Sequence, residues 1–310
     1  MVTSRSQPSE RCLPCFHLLT YGPNIQERAF DAMSGRLASG DTSLLQEMHA
    51  TTSGLKVLVT THNIQDLETA RRCLGGHGYS EYAGIGRQYA GALPSATYEG
   101  DNFILDLQVV RAAVKAFKRY TSATKPNPST LSPTTTYLRL ISQQSPADAT
   151  AGEWADPRCS VYLLEQRALN MVREYAQHES DSDATAPQRV ARAATEAFVA
   201  AQLETFIHDL PSQLSGKNAH AVKDLLTLVS QRTVRRSCKF LMTFQSLLSM
   251  VEAALVDLLS FNIFPRNVRP LGQDPTRELR KTIQNLELKL LPQAIGLSDA
   301  FGFTDWELDR

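Results

Sequence analysis

One acidic residue and one glycine cluster carry the candidate chemistry of this chain. Glu99 stands between Tyr98 and Gly100, immediately ahead of Asp101 and Asn102. A carboxylate flanked by an aromatic ring and a glycine can be partly desolvated and still be reached by a ligand, and such burial raises a carboxylate's pKa toward the working range of a general base. A nearby helix N-terminus acts in the opposite sense, favouring the ionised form. Two readings of Glu99 therefore stand together: a base, or an acid at a helix start that stabilises the dipole. Upstream, Gly75-Gly76-His77-Gly78-Tyr79 lacks the Cβ atoms that would keep a ligand from the backbone, and it leaves amide N–H groups free to face an anion. The same glycines also suit a helix C-cap and tight turn, and His77 in such a turn reads as structural. Neither a dinucleotide fingerprint nor a P-loop is present. The predicted helix precedes the glycines where the fingerprint needs one to follow, and no Gly-Lys-Ser/Thr occurs.

These residues need elements to position them, and the spacing predicts helices throughout. Apolar residues recur at mixed three and four spacings over 13–37 and 43–60, and Asn63 is a candidate N-cap for a further helix ending at Gly75. Between Gly75 and Tyr98, six glycines, one proline and little periodicity predict a long functional loop, with at most a helical turn around Arg87-Gln88-Tyr89. Phe103, Leu107, Val110, Val114 and Phe117 then mark an amphipathic helix capped by Asp101 or Asn102. Residues 122–157 hold five prolines among Ser, Thr and Asn, a linker or a long ordered excursion. Helical patterns return at 161–175, 188–210, 219–264 with a break, and 276–290. No strand pattern and no solenoid repeat emerges. The reading is all-α, with a first helical bundle over 1–121, a linker over 122–157 and a second helical domain over 158–310.

Composition narrows the function classes. The chain has 310 residues, enough for two domains, 42% hydrophobic content, and 32 basic against 32 acidic residues. Zero formal charge gives no global case for nucleic acid or an anionic membrane. The most apolar long run, 247–264, carries Glu252 and Asp257, so it reads as a core helix and not a membrane span. Arg232, Arg235, Arg236 and Lys239 read as one solvated helix face. Cys12, Cys15, Cys73, Cys159 and Cys238 are odd in number and scattered, as expected of reduced intracellular thiols. Cys12 and Cys15 have metal or redox spacing with His17 after them, but no second pair completes a zinc site, and no metal is assigned. Neither terminus shows a secretory signal or an SKL-type tripeptide.

Four stretches, in this order, give the chain a family resemblance: EMHATTSGLK (47–56), ARRCLGGHGYS (70–80), LPSATYEGDNFILDLQVVR (93–111) and LLPQAIGLSDAFGFTDWEL (290–308). The sequence resembles the C-terminal half of the acyl-CoA oxidases, flavoproteins of the acyl-CoA dehydrogenase superfamily. That resemblance implies Glu99 as the catalytic base, removing the α-proton of a fatty acyl-CoA while hydride passes to flavin, to give a trans-2-enoyl-CoA. It also implies reoxidation by O2 to hydrogen peroxide, in β-oxidation of the peroxisomal type. Arg72, Gly75, Gly76 and Gly78 match positions beside the FAD diphosphate, often that of a neighbouring subunit. Gly100, Asp101 and Asn102 match the turn near the flavin after the base. The implied assembly is a homodimer, or association with an N-terminal flavin-binding half, since the family's N-terminal helical and β-barrel domains are expected to be absent from this stretch. The implied location is the peroxisome, otherwise the cytoplasm. Two other functions stand beside this one: an inactive helical interaction or regulatory remnant, and an acyl-CoA dehydrogenase.

Overall fold

The computed structural model describes residues 34–36, 38–40, 45–123, 127–142, 157–179, 185–213, 220–231, 233, 284–286 and 288–293. Among them every regular element is helical, as expected, and there is no strand. The principal helices are α1 (Leu45–Cys73), α2 (Ile85–Ala92), α3 (Asn102–Ser122), α4 (Pro157–Gln177), α5 (Ala186–Gln213) and α6 (220–231). The CxxC pair with His17, the 247–264 run, the basic cluster at 232–239, Cys238 and the C-terminal WEL segment lie outside the described residues.

Helix α1 corrects the expected break at Asn63, which lies inside one continuous helix. Its threonines return their hydroxyls to the preceding turn, Thr51 to the Glu47 carbonyl at 2.9 Å and Thr60 to the Lys56 carbonyl at 2.8 Å, so their polar atoms do not compete with the helix. The buried face runs Ala50, Gly54, Leu58, His62, Asp66, Ala70 in steps of four. Small residues on this stripe let α1 approach α5 closely. A Cβ on Gly54 would sit 2.5 Å from the Thr195 Oγ1.

Helix α3 begins where the sequence places it. Asp101 is the N-cap, accepting from the Phe103 amide at 2.9 Å. Val110, Val114 and Phe117 are buried as the periodicity requires, but Phe103 is exposed and Leu107 only half-buried. The apolar stripe turns inward from Asp106 and Val109 onward, and the first turn of the helix faces out.

One hydrophobic core joins α3 (Val109 to Tyr120), α4 (Leu163 to Val172), α5 (Val190 to Ala200), Leu225 and Leu228 of α6, and Leu290. The proline-rich excursion contributes to it: residues Pro133–Ile141 form a 3-10 helix that buries Tyr137 and Leu138 completely. The Glu47 carboxylate anchors that segment by accepting the Thr134 amide at 3.0 Å and the Thr134 hydroxyl at 2.5 Å. A second cluster, with Leu55 and Leu58 of α1 and Phe198, Val199 and Leu203 of α5, packs α1 onto α5.

Charge is also buried here, and it is paired. Glu196 is 3% exposed and receives Arg167 at 2.5 Å and Arg192 at 2.9 Å. Arg192 reaches on to the His62 Nε2 at 3.2 Å, so one network ties α1, α4 and α5. Burial would raise Glu196, but the two guanidinium groups outweigh it and hold its carboxyl below the usual range. Burial dominates at Asp106, pushed up to about 7 against the pull of Arg192. The same holds for Glu165, pushed up to about 7 although Arg139 bonds it at 2.7 Å. Asp106, His62 and Arg192 border a cavity of ≈ 180 Å³ among α1, α3 and α5.

Candidate active site

The expected loop between Gly75 and Tyr98 is instead a string of short helical turns. Residues Gly75–Tyr79 and Glu81–Ala83 form 3-10 turns, α2 follows, and Leu93–Ala96 forms another 3-10 turn. The glycines within α2, Gly86 and Gly91, hid it from the sequence pattern, since glycine weakens a helix on its own. Tertiary contact with α1 supplies what local propensity lacks.

At the end of α1 the glycines divide into two kinds. Gly75 takes φ +61, and a Cβ on Gly75 or Gly76 would meet nothing within 4 Å, so this corner is open and smooth. Gly78 is buried instead, and a Cβ there would lie 1.9 Å from the Arg71 carbonyl oxygen. Its lack of a side chain serves close packing of the turn on α1. Arg72 stands beside the open corner, 71% exposed, its Nε donating to Glu68 at 2.7 Å. His77 engages through its backbone, its carbonyl accepting the Ser80 amide at 3.0 Å.

Arg71 was not legible as a site residue, yet it holds this corner together. Its guanidinium lies 4.7 Å from the Tyr79 ring centre and 4.6 Å from that of Tyr89, and it donates to Glu68 at 2.6 Å. Two cation–π contacts thus join α1 to the glycine turn and to α2, the guanidinium being held by an ion pair within α1.

Glu99 occupies the second part of the site. It is the one non-glycine residue among those described with a positive φ, +56, and Gly100 follows at φ +101. Glu99 is exposed, as is Tyr98, so the neighbouring ring does not bury the carboxylate within these residues. The turn is secured on both sides. Asp101 caps α3. From α1, the Lys56 ammonium donates to the Gly100 carbonyl at 2.6 Å and to the Asn102 Oδ1 at 2.7 Å, while the Asn102 Nδ2 donates to the Thr60 Oγ1 at 2.9 Å. Burial lowers the pKa of Lys56, with Asp101 and Glu99 pulling it the other way. Gly100, Asp101 and Asn102 are therefore occupied in fixing the turn. Lys56 and Thr60 escaped the sequence reading because they lie more than forty residues from their partners. Their four-residue spacing on α1, one above the other, was the available signal.

Large apolar side chains are exposed around both turns. Of the ten large hydrophobic residues exposed among those described, seven are Leu74, Tyr79, Tyr82, Leu93, Tyr98, Phe103 and Ile104. No group of three or more His, Cys, Asp or Glu among the described residues is placed to hold a metal, and none of their helices is long and apolar enough to cross a membrane.

Fold and site together define an all-helical unit that carries an exposed carboxylate on a held turn and an open glycine corner, with large apolar side chains exposed near both. The family description "Acyl-CoA oxidase, C-alpha1 domain" matches residues 17–114, and "Acyl-CoA oxidase" matches residues 156–309. Peroxisomal acyl-coenzyme A oxidase 1 of Arabidopsis thaliana is 30% identical over 284 residues, which is 88% of this chain and 38% of that protein. Peroxisomal acyl-coenzyme A oxidase 2 of Rattus norvegicus is 35% identical over 130 residues, 42% of this chain and 19% of that protein. Among solved structures, a tomato acyl-CoA oxidase superposes with a TM-score of 0.75 at 23% identity, over 97% of this chain and 44% of that one. Acyl-CoA oxidase-1 of Caenorhabditis elegans, complexed with FAD and ATP, gives 0.74 at 22% identity over 97% and 43%. The chain belongs to the acyl-CoA oxidase family and corresponds to the C-terminal portion of those proteins. It spans less than half the length of these relatives.

Proposed function

We propose that this chain supplies the base-bearing half of an FAD-dependent acyl-CoA oxidase active site. The reaction is α,β-dehydrogenation of a fatty acyl-CoA to a trans-2-enoyl-CoA, with O2 reduced to H2O2. The observation that carries this reading is the conformation of Glu99: a solvent-facing carboxylate in a left-handed turn clamped on both sides, a strain that proteins retain where geometry matters. Glu99 takes the α-proton of the thioester. Its held backbone fixes where the carboxylate meets substrate, and its amide is the donor for the thioester carbonyl, where negative charge develops.

The open Gly75–Gly76 corner with the exposed Arg72 fits one edge of a dinucleotide diphosphate, which needs close backbone approach and a cation. FAD, when bound, supplies the hydride acceptor and the route of electrons to O2. Arg72, Gly75 and Gly76 would face it directly. Gly78 packs that corner onto α1, and Gly100, Asp101 and Asn102 would hold the turn that carries the base beside the flavin. The apolar face around both turns supports association, either with a flavin-binding N-terminal half or within a homodimer, and a covered face would desolvate Glu99 as a base requires. The peroxisomal names of the relatives support a peroxisomal setting. In this proposal the chain divides at 1–121, 122–157 and 158–310, its two helical parts meeting in the core that α3 shares with α4, α5 and the Pro133–Ile141 helix.

The test joins the chain to a flavin-bearing acyl-CoA oxidase N-terminal half and measures acyl-CoA-dependent peroxide formation. Glu99→Gln should lower the rate by about 10²–10⁴-fold with FAD content unchanged. An unaltered rate would overturn the reading.

A further inference from the structure

The base turn carries a grip that the chemistry of dehydrogenation does not itself require, and it rests on the reading of Glu99 given above. We propose that Lys56 is the positioning residue for that turn, holding the Glu99 carboxylate in place through the backbone of Gly100 and the side chain of Asn102.

The hydrogen-bond roles close without ambiguity. An ammonium only donates, so the Gly100 carbonyl and the Asn102 Oδ1, at 2.6 and 2.7 Å, are its acceptors. That fixes the orientation of the Asn102 amide, whose Nδ2 must face Thr60 at 2.9 Å. Thr60 can accept there because its own hydrogen goes to the Lys56 carbonyl at 2.8 Å. Lys56 and Thr60, one turn apart on α1, thus grip the entry of α3 in a closed ring of bonds. Two consecutive residues with positive φ, Glu99 and Gly100, swing the Gly100 carbonyl toward α1. Without the ammonium that carbonyl loses its partner, and Glu99 is left in a conformation that an L-residue keeps only when its surroundings over-determine it. The Lys56 ammonium also interacts electrostatically with both Asp101 and Glu99. Its bonds are to the backbone and amide of the turn, so its effect passes through Glu99.

The variant Lys56→Met keeps the aliphatic stem and removes every donor. Two readouts decide. In the 310-residue chain, cleavage after Glu99 by a glutamate-specific endoproteinase, mapped by mass, should quicken about tenfold or more as the turn opens. In the flavin-loaded assembly, flavin reduction at saturating acyl-CoA should slow by up to about 10²-fold while the apparent affinity for acyl-CoA holds, since displacement of a base by about 1 Å affects rate more than binding. Thr60→Val, which loosens only the Asn102 arm, should give a smaller change of the same sign in both. Parent-like cleavage and parent-like reduction in Lys56→Met, with Glu99→Gln still inactive, would overturn the proposal and leave Glu99 standing. If Glu99→Gln reduces flavin normally, the reading of the base itself fails, and the proteolysis arm alone then decides whether Lys56 holds the turn. Should Lys56→Met not accumulate as folded chain, Asn102→Ala with the same two readouts takes its place, and parent-like behaviour there overturns the proposal.

Discussion

The face carried by residues 74–104 and the core shared by α3, α4 and α5 solve opposite problems. In the core, ionised groups are sealed in with their partners, as Glu196 is between Arg167 and Arg192, and large apolar side chains such as Leu164, Leu169 and Val172 are almost wholly buried. Along 74–104, by contrast, Glu99 is exposed, and so are large apolar residues, Tyr82 to 105% of its reference area. Exposed apolar patches of this kind are characteristic of interaction sites. The comparison teaches that this fold keeps stability and site geometry in separate places. They are joined through α1, which packs on α5 along one side and holds both site turns along another, and through α3, which runs from the acid turn into the core.

The largest expected effect breaks the core side of that contrast. Glu196→Ala leaves two guanidinium groups without their carboxylate, and removal of one partner from a buried ionic network costs about 3–5 kcal/mol. Chemical denaturation should register that loss. Should it fall within about 0.5 kcal/mol, the core network would have no more weight than a surface pair.

An intermediate effect concerns pH. Asp106 and Glu165, both pushed up to about 7, bind protons more tightly folded than unfolded. Their contribution is fully present below the unfolded carboxylate values near 4 and is lost as pH rises through about 7. Glu196 is held low, so its contribution is present above the ordinary carboxylate pKa and lost as pH falls through its folded value. Unfolding free energy should therefore decline from about pH 5 to about pH 8, and Asp106→Asn should reduce the total decline by on the order of 1–3 kcal/mol. A profile that rises over this range, in the parent chain, would contradict the assignment.

The smallest effect sharpens the site side. Tyr82→Ser should leave unfolding within about 0.5 kcal/mol of the parent, since the side chain contacts little within the chain. It should weaken association with a flavin-bearing half, as measured by co-purification or light scattering. Destabilisation together with normal association would remove the case for a covered face.

Much of the fold was legible because its signals are local. The Asp101 cap, the Val110, Val114 and Phe117 stripe, and the two long helices after the proline-rich stretch all followed from spacing and turn chemistry. The continuity of α1 was hidden because its buried face is built of Ala, Gly, His and Asp as well as Leu. Apolar periodicity cannot see a stripe whose burial comes from close approach. The order in Pro133–Ile141 was hidden in the same way, since Tyr137 and Leu138 find their partners only in the assembled core. In the site, Glu99 and the glycines could be read from residue type. Lys56, Thr60 and Arg71 could not, because a lysine, a threonine or an arginine on a helix announces nothing until the chain returns to it.

Helix α1 also acts as a ruler. It is one unbroken rod, and its graduation is set by the backbone at about 1.5 Å per residue. The mark at Lys56 reads the acid turn and the mark at Arg71 reads the glycine corner, about 20 Å further along. Exchange of one side chain for another between these marks leaves the scale intact. A single inserted residue would advance the far mark by about 1.5 Å and swing it about 100° around the rod, turning the two halves of the face away from each other. The separation of acid and glycines is thus written in a residue count, and it tolerates changes of spelling but not of length.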